Sequence, residues 1–388
     1  MIKGVVIEKK KEERKDSDPK QKPILKKIPP KRNIRKDIAL FFQRLQLSRR
    51  TKKIVIISAS LLVLALVIIL MYLFLRIKVC EDNKTIYNKC SVIKPYYCNG
   101  KIIENASYCG CDNITKQNGN LCISNYQQQP KNISLNYFID GRKREINFTV
   151  YKNLSDYLFS LPMSIYYSAG QKTSNADFIL RDLNNQEQQE LLYPLVLKIQ
   201  SISKDETEQA RIAISIVQNI KYGSSDKKTN FGTYTINYSR YPYQVLYDSE
   251  GICGEKSELL AYLLKEIGYN VVIFSFPFEN HEAVGVKCPT EYSYRQTGYC
   301  FIETTGPAII SDGGIYYANI GKLYSTPDLI FVSDGKSFSN DLYEYSDALE
   351  LKSLRDSSNN MGGLDILQNL QYQGLKKKYG LQEIYNAE

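Results

Sequence analysis

The sequence predicts an α+β protein that sits behind one apolar span and a small cysteine-rich module. Three observations carry that prediction. Helical apolar stripes at 183–202, 205–220 and 253–267 mix with strand-like runs at 137–151, 271–276, 281–286 and 299–304. Residues 54–75 are apolar and uncharged, and six of the nine cysteines fall between Cys80 and Cys122.

Charge divides the chain before any element is read. Residues 1–53 hold 19 Lys/Arg against 6 Asp/Glu, a balance of +13. The whole chain carries only +10, so the remainder sums to −3. The basic character therefore belongs to a tail and says nothing about a substrate. Residues 1–36, punctuated by Pro19, Pro23, Pro29 and Pro30, read as a solvated, disordered tail. Residues 37–48 have the composition of a short interfacial helix.

Ile54–Leu75 offers 22 uncharged residues, enough to cross a bilayer core of about 30 Å as a helix. A leader of 53 residues and so long a core do not suit a cleaved signal peptide. A retained, single-pass anchor is expected. Arg49, Arg50, Lys52 and Lys53 precede the span and only Arg76 and Lys78 follow closely. That asymmetry puts the N-terminus in the cytoplasm and the rest of the chain outside the cell membrane. Cysteine use and seven Asn-X-Ser/Thr sequons, all beyond the span, agree.

Residues 79–125 hold Cys80, Cys90, Cys98, Cys109, Cys111 and Cys122. So short a module buries little core, and disulfides would supply the missing stability. Six cysteines allow fifteen pairings, and sequence does not choose among them. Zinc is the competing reading, but the module has no Cys-x-x-Cys pair and no histidine. No metal site is expected.

A catalytic-sized domain is expected over 135–345, followed by a helical appendage at 346–388. Tyr137–Tyr151 reads as a strand pair around Asp140-Gly141, Asp205 as the N-cap of the helix after it, and Tyr222–Tyr247 as loop. Leu259, Leu260, Leu263, Leu264 and Ile267 form one helical face that ends at Gly268. Cys253 then lies at a helix N-terminus, where free N–H groups and the dipole favour thiolate.

His281 is the only histidine, so the chain can build at most one imidazole-dependent site. A thiol nucleophile needs such a base. Alternation puts His281, Ala283 and Gly285 on one face of a strand. An antiparallel neighbour at 299–304 that pairs His281 with Glu303 would bring a carboxylate to orient the imidazole. That register sets Cys300 opposite Val284. Cys288 and Cys300 bracket the hairpin and could bridge, leaving Cys253 as the odd thiol.

The phrases Gly251-Ile-Cys253-Gly-Glu-Lys-Ser, Asn280-His281-Glu-Ala-Val and Phe301-Ile-Glu303-Thr-Thr-Gly-Pro also carry a resemblance. They are similar to the cysteine, histidine and acidic segments of the transglutaminase-like superfamily, which is papain-related, and most of all to its membrane-anchored archaeal members. Arg211–Tyr222 resembles the helix that precedes the cysteine segment there. The resemblance implies a Cys253–His281–Glu303 triad acting on proteins or peptides at the cell envelope. Glu303 departs from the family's usual Asp. With no Trp in the chain, the family's oxyanion donor has no counterpart, and Gln218 or a tyrosine between 222 and 247 is left for that role.

Two outcomes of the chemistry stay open. Water as acceptor gives a cysteine peptidase or amidase; a lysine amine gives a cross-linking acyltransferase. Hydrolysis is favoured, since water is always present. No cofactor is expected, and no calcium motif is legible. Neither nucleic acid nor nucleotide is an expected partner, since the tail is the only strongly basic stretch and no phosphate-loop motif occurs. A non-catalytic envelope module on a membrane stalk is the alternative.

Overall fold

The structure, a computed structural model, describes residues 49–74, 78–112, 115–162, 164, 174–223, 228–231, 234–237, 239–314 and 322–382. The basic tail 1–48, with the expected interfacial helix 37–48, lies outside the described residues, as does the sequon at Asn113. The chain divides into two compact units, Met1–Arg76 and Ile77–Glu388.

In the first unit, Arg49–Phe74 is one 26-residue helix free of Gly and Pro. Its described side chains, 57–71, are all exposed. Among the described residues no helix is long and apolar enough to cross a membrane. The described side chains of this helix span 15 residues, against the roughly 20 that a bilayer core takes.

The second unit is a mixed α+β body. Its cysteine-rich end has two short ladders, Tyr96–Cys98 with Ile102–Glu104 and Thr115–Asn118 with Leu121–Ser124. Of the fifteen pairings, the one formed joins Cys80 to Cys98, Cys90 to Cys109 and Cys111 to Cys122. These close loops of 18, 19 and 11 residues, each about 3 kcal/mol by the chain-entropy account. Tyr96 is buried and meets Tyr193 edge-on at 5.5 Å. The small module thus shares its core with its neighbour.

The strands β1 (Pro130–Ile139) and β2 (Arg142–Tyr151) form a hairpin. It closes through Asp140 and Gly141 at φ 50° and 67°, the left-handed pair whose twist suits a two-residue turn. Next come α1 (Asn175–Leu183), α2 (Gln186–Ile202) and α3 (Glu206–Asn219). The stripe expected to run from 183 is cut because Asn185 caps α2, its Oδ1 accepting Gln188 N–H at 3.1 Å. Asp205 caps α3 through Thr207 and Glu208 N–H, at 2.7 and 3.1 Å. The stretch expected to be loop holds a helix, Pro242–Asp248. Proline there sets φ and lacks only an N–H that would have had no partner in the first turn.

The site rests on α4 (Cys253–Ile267) and a four-stranded antiparallel sheet. Its strands are β3 (Val271–Phe276), β4 (His281–Lys287), β5 (Tyr299–Ile302) and β6 (Asp328–Ser333), in the order β5-β4-β3-β6. Every residue of the central β3 is buried. On one face Ile273, Val284, Val286 and Ile302 share a core with Leu259, Leu260, Leu263 and Leu264 of α4, each such side chain worth about 1.5–3 kcal/mol of burial. The other face carries Val272, Phe274, Phe276 and Phe301. A Cβ on Gly285 would stand 2.7 Å from the Phe274 ring, so only glycine lets that aromatic layer cross β4.

The C-terminal helices α5 (Tyr343–Met361) and α6 (Ile366–Tyr379) build a small core of Leu351, Leu354, Tyr372 and Leu375. Paired ion bridges fasten α5: Arg211 to Glu344 at 2.5 and 2.9 Å, and Arg355 to Asp312 at 2.6 Å twice.

Candidate active site

Cys253 is the first residue of α4, and it is the only free cysteine; it is 8% exposed. The turn before it is held by charge. Glu255 accepts the Ile252 N–H at 3.0 Å and the Arg240 N–H at 2.7 Å. Buried Arg240 in turn bonds Glu255 at 3.2 Å and Asp248 at 2.8 Å. A desolvated guanidinium with two carboxylates fixes the loop that presents the thiol.

His281 opens β4, directly after Asn280, whose φ of 50° makes the sharp exit from the β3–β4 turn. The Cys253 sulfur lies 4.0 Å from the Asn280 carbonyl oxygen. His281 Nε2 stands 3.1 Å from Glu303 Oε2, with both side chains nearly excluded from solvent. Burial works to lower the imidazole pKa, but hydrogen bonds with Cys253 and Glu303 outweigh it and raise it from 6.5 to about 10.

Glu303 is itself pinned. Its Oε1 accepts the N–H of Thr304 at 2.9 Å, the N–H of Thr305 at 2.8 Å and the Thr305 hydroxyl at 2.7 Å. Thr304 Oγ1 also bonds the Cys253 carbonyl at 3.3 Å and Ser257 Oγ at 3.1 Å. The Cys253 helix and the Glu303 turn are thus tied by hydroxyls.

The expected register needs correction. Cys300 lies opposite Val286, not Val284, and the ladder ends at the pair Val284–Ile302. Continued, it would set Glu303 beside Ala283 rather than His281. The cause is at the far end of the hairpin, where Cys288 and Cys300 are bridged and Cys288 N–H bonds Gly298 O at 3.0 Å. A shift of two residues keeps each side chain on its face. Glu303 therefore still reaches His281, diagonally and from just beyond the strand.

Of the residues considered as oxyanion donors, Gln218 is occupied: its Nε2 donates to the carbonyls of Glu303 and Ala308 at 2.9 and 3.1 Å. Tyr222 is the tyrosine at the site. Burial, then the charges of Cys253 and Glu303, raise its phenol pKa.

Several residues at the site went unread in the sequence. Lys256 is fully buried, its Nζ donating to the Ile220 and Thr305 carbonyls at 2.6 and 3.2 Å. Burial, opposed by the charge of Glu303, lowers its pKa to about 8. A cavity of about 810 Å³ opens beside Cys253, His281, Glu258 and Glu282. The one sequence signal for these was Glu-Lys-Ser-Glu directly before the leucine stripe: charges at the start of a helix that has no exposed face.

No protein-family model, no curated protein and no solved structure matches this chain. The likeness to transglutaminase-like proteins therefore stands on the three motifs alone.

Proposed function

We propose that the chain is a thiol enzyme of the acyl-transfer class, transglutaminase-like in kind, acting on proteins or peptides at the cell envelope. One observation carries this reading: the only free thiol and the only histidine line one cavity, and a pinned carboxylate bonds that histidine. In the proposed reaction His281 takes the thiol proton as the Cys253 sulfur attacks an amide carbonyl carbon and forms a C–S bond. The carbonyl π pair moves to oxygen, which the Cys253 N–H and the Tyr222 hydroxyl receive. As the oxyanion collapses, the C–N bond breaks and His281 gives its proton to the leaving amine. A second acceptor then attacks the thioester carbon while His281 takes its proton; the C–S bond breaks, and the sulfur takes that proton from His281. Glu303 holds the ring, with Nε2 engaged and Nδ1 serving the sulfur.

Water as that acceptor is favoured, giving an amidase or peptidase. Anchorage by Ile54–Leu75 with the site outside the cell is part of the proposal, supported by the uncharged run, the basic flank and the four disulfides. The test is alkylation of Cys253 by a neutral thiol reagent, followed by mass spectrometry, in wild type and His281→Ala. Activation by the imidazole predicts a fall of about 10²-fold in the variant. Equal rates would leave a non-catalytic module as the better reading.

A further inference from the structure

The cavity beside Cys253 is acidic, and its acids come from four elements: Asp182 of α1, Glu258 of α4, Glu282 of β4 and Asp328 of β6. Arg181 is the one Lys or Arg among the lining residues, and it is spent on Asp182 at 2.6 Å. Glu255, also on the wall, is taken up by Arg240 and the helix start. Glu282 Oε1 accepts Asn175 Nδ2 at 2.8 Å and Ser275 Oγ at 3.4 Å. Its Oε2 lies where a Cβ on Gly254 would come within 2.7 Å, so the carboxylate overhangs the backbone next to the nucleophile.

Glu258 is the independent observation. It is 5% exposed, and its Oε2 has no hydrogen-bond partner among the described residues. Buried carboxyl oxygens are satisfied in nearly all proteins, and Glu258 is among the residues that line the cavity opening on Cys253. Neither Glu258 nor Glu282 forms an ion pair among the described residues. Among the described residues, no three ligating side chains converge as a metal would need. An organic cation needs only two or three acceptors and a wall for its methylenes, which Ile179, Phe276, Leu329 and Ile330 supply.

We propose that this cavity is the subsite for a cationic group of the substrate, a primary ammonium on an alkyl chain, received by Glu258 and Glu282. The inference rests on Cys253 being the nucleophile. The ammonium has two possible sources, a lysine side chain next to the scissile amide or a free amine that accepts the acyl group.

Methanethiosulfonates of equal size and different charge test it, since only Cys253 has a free thiol. The aminoethyl reagent should label Cys253 at least 10-fold faster than the ethyl reagent, and the sulfonatoethyl reagent more slowly than either. In Glu258→Gln and Glu282→Gln the cation-to-neutral ratio should drop at least 5-fold. Independently of any variant, millimolar n-butylammonium should slow neutral labelling of the wild type. Equal rates for the three charges, or no protection by butylammonium, overturns the subsite. A ratio that follows charge while neutral labelling ignores His281→Ala keeps the subsite and sinks the proposed chemistry. Cleavage confined to lysine-flanked peptides marks the first source; incorporation of a fluorescent alkylamine into a glutamine-bearing protein marks the second.

Discussion

Glu303 reaches His281 from outside the ladder: the two are bonded at 3.1 Å although the sheet pairs neither with the other. The carboxylate is aimed by its own turn, through three bonds from Thr304 and Thr305. Orientation and charge can therefore be separated by mutation. Glu303→Gln keeps the shape and removes the charge. In the proposed reaction it lowers kcat by about 10²–10⁴-fold with KM little changed. A kcat within about threefold of wild type would show that the acid does not serve the base.

The imidazole makes a pH prediction whose sign follows from its raised pKa. A base raised from 6.5 to about 10 on folding contributes stability that is full below pH 6.5 and lost as pH rises through 10. Since the chain has one histidine, one imidazole NMR signal reports the titration. Its midpoint should lie near 10 in wild type and fall by at least a unit in Cys253→Ala and in Glu303→Gln. A wild-type midpoint at the ordinary value contradicts the pairing.

Tyr222 gives a prediction in two directions. The charge of Cys253 acts on its phenol, so in the proposed reaction Tyr222→Phe opens the approach to the thiol but removes an oxyanion donor. Alkylation, which forms no oxyanion, should quicken in the variant. Amide turnover should slow by about 10²-fold. If both rates move together, the hydroxyl has a single role.

Arg240 concerns the scaffold. Removing the guanidinium in Arg240→Ala strands Glu255 and Asp248 beside the helix start. Breaking a buried pair from one side costs about 3–5 kcal/mol, readable as a lower urea midpoint. A loss below about 1 kcal/mol would mean that water reaches these carboxylates.

What the sequence made legible was local. The Cys253 helix, its Gly268 cap, the β3 run and the Asp140-Gly141 turn follow from periodicity and turn chemistry within a few residues. The register of β4 on β5 was not legible, because the bridge between Cys288 and Cys300 sets it from beyond the pairing itself. Nor was the acidic cavity, whose carboxylates come from α1, α4, β4 and β6 and meet only in the folded chain. Lys256 read as an ordinary helix lysine. Its burial depends on carbonyls 36 and 49 residues away.

The bridge between Cys288 and Cys300 locks a hairpin whose open end carries the acid and base. A slip of one residue would turn Glu303 to the opposite face of the sheet and leave His281 facing no carboxylate. The oxidation state of two sulfurs thus guards the alignment of a proton relay that neither of them touches. In a reducing milieu the same polypeptide would be spelled identically and aligned only by its side chains.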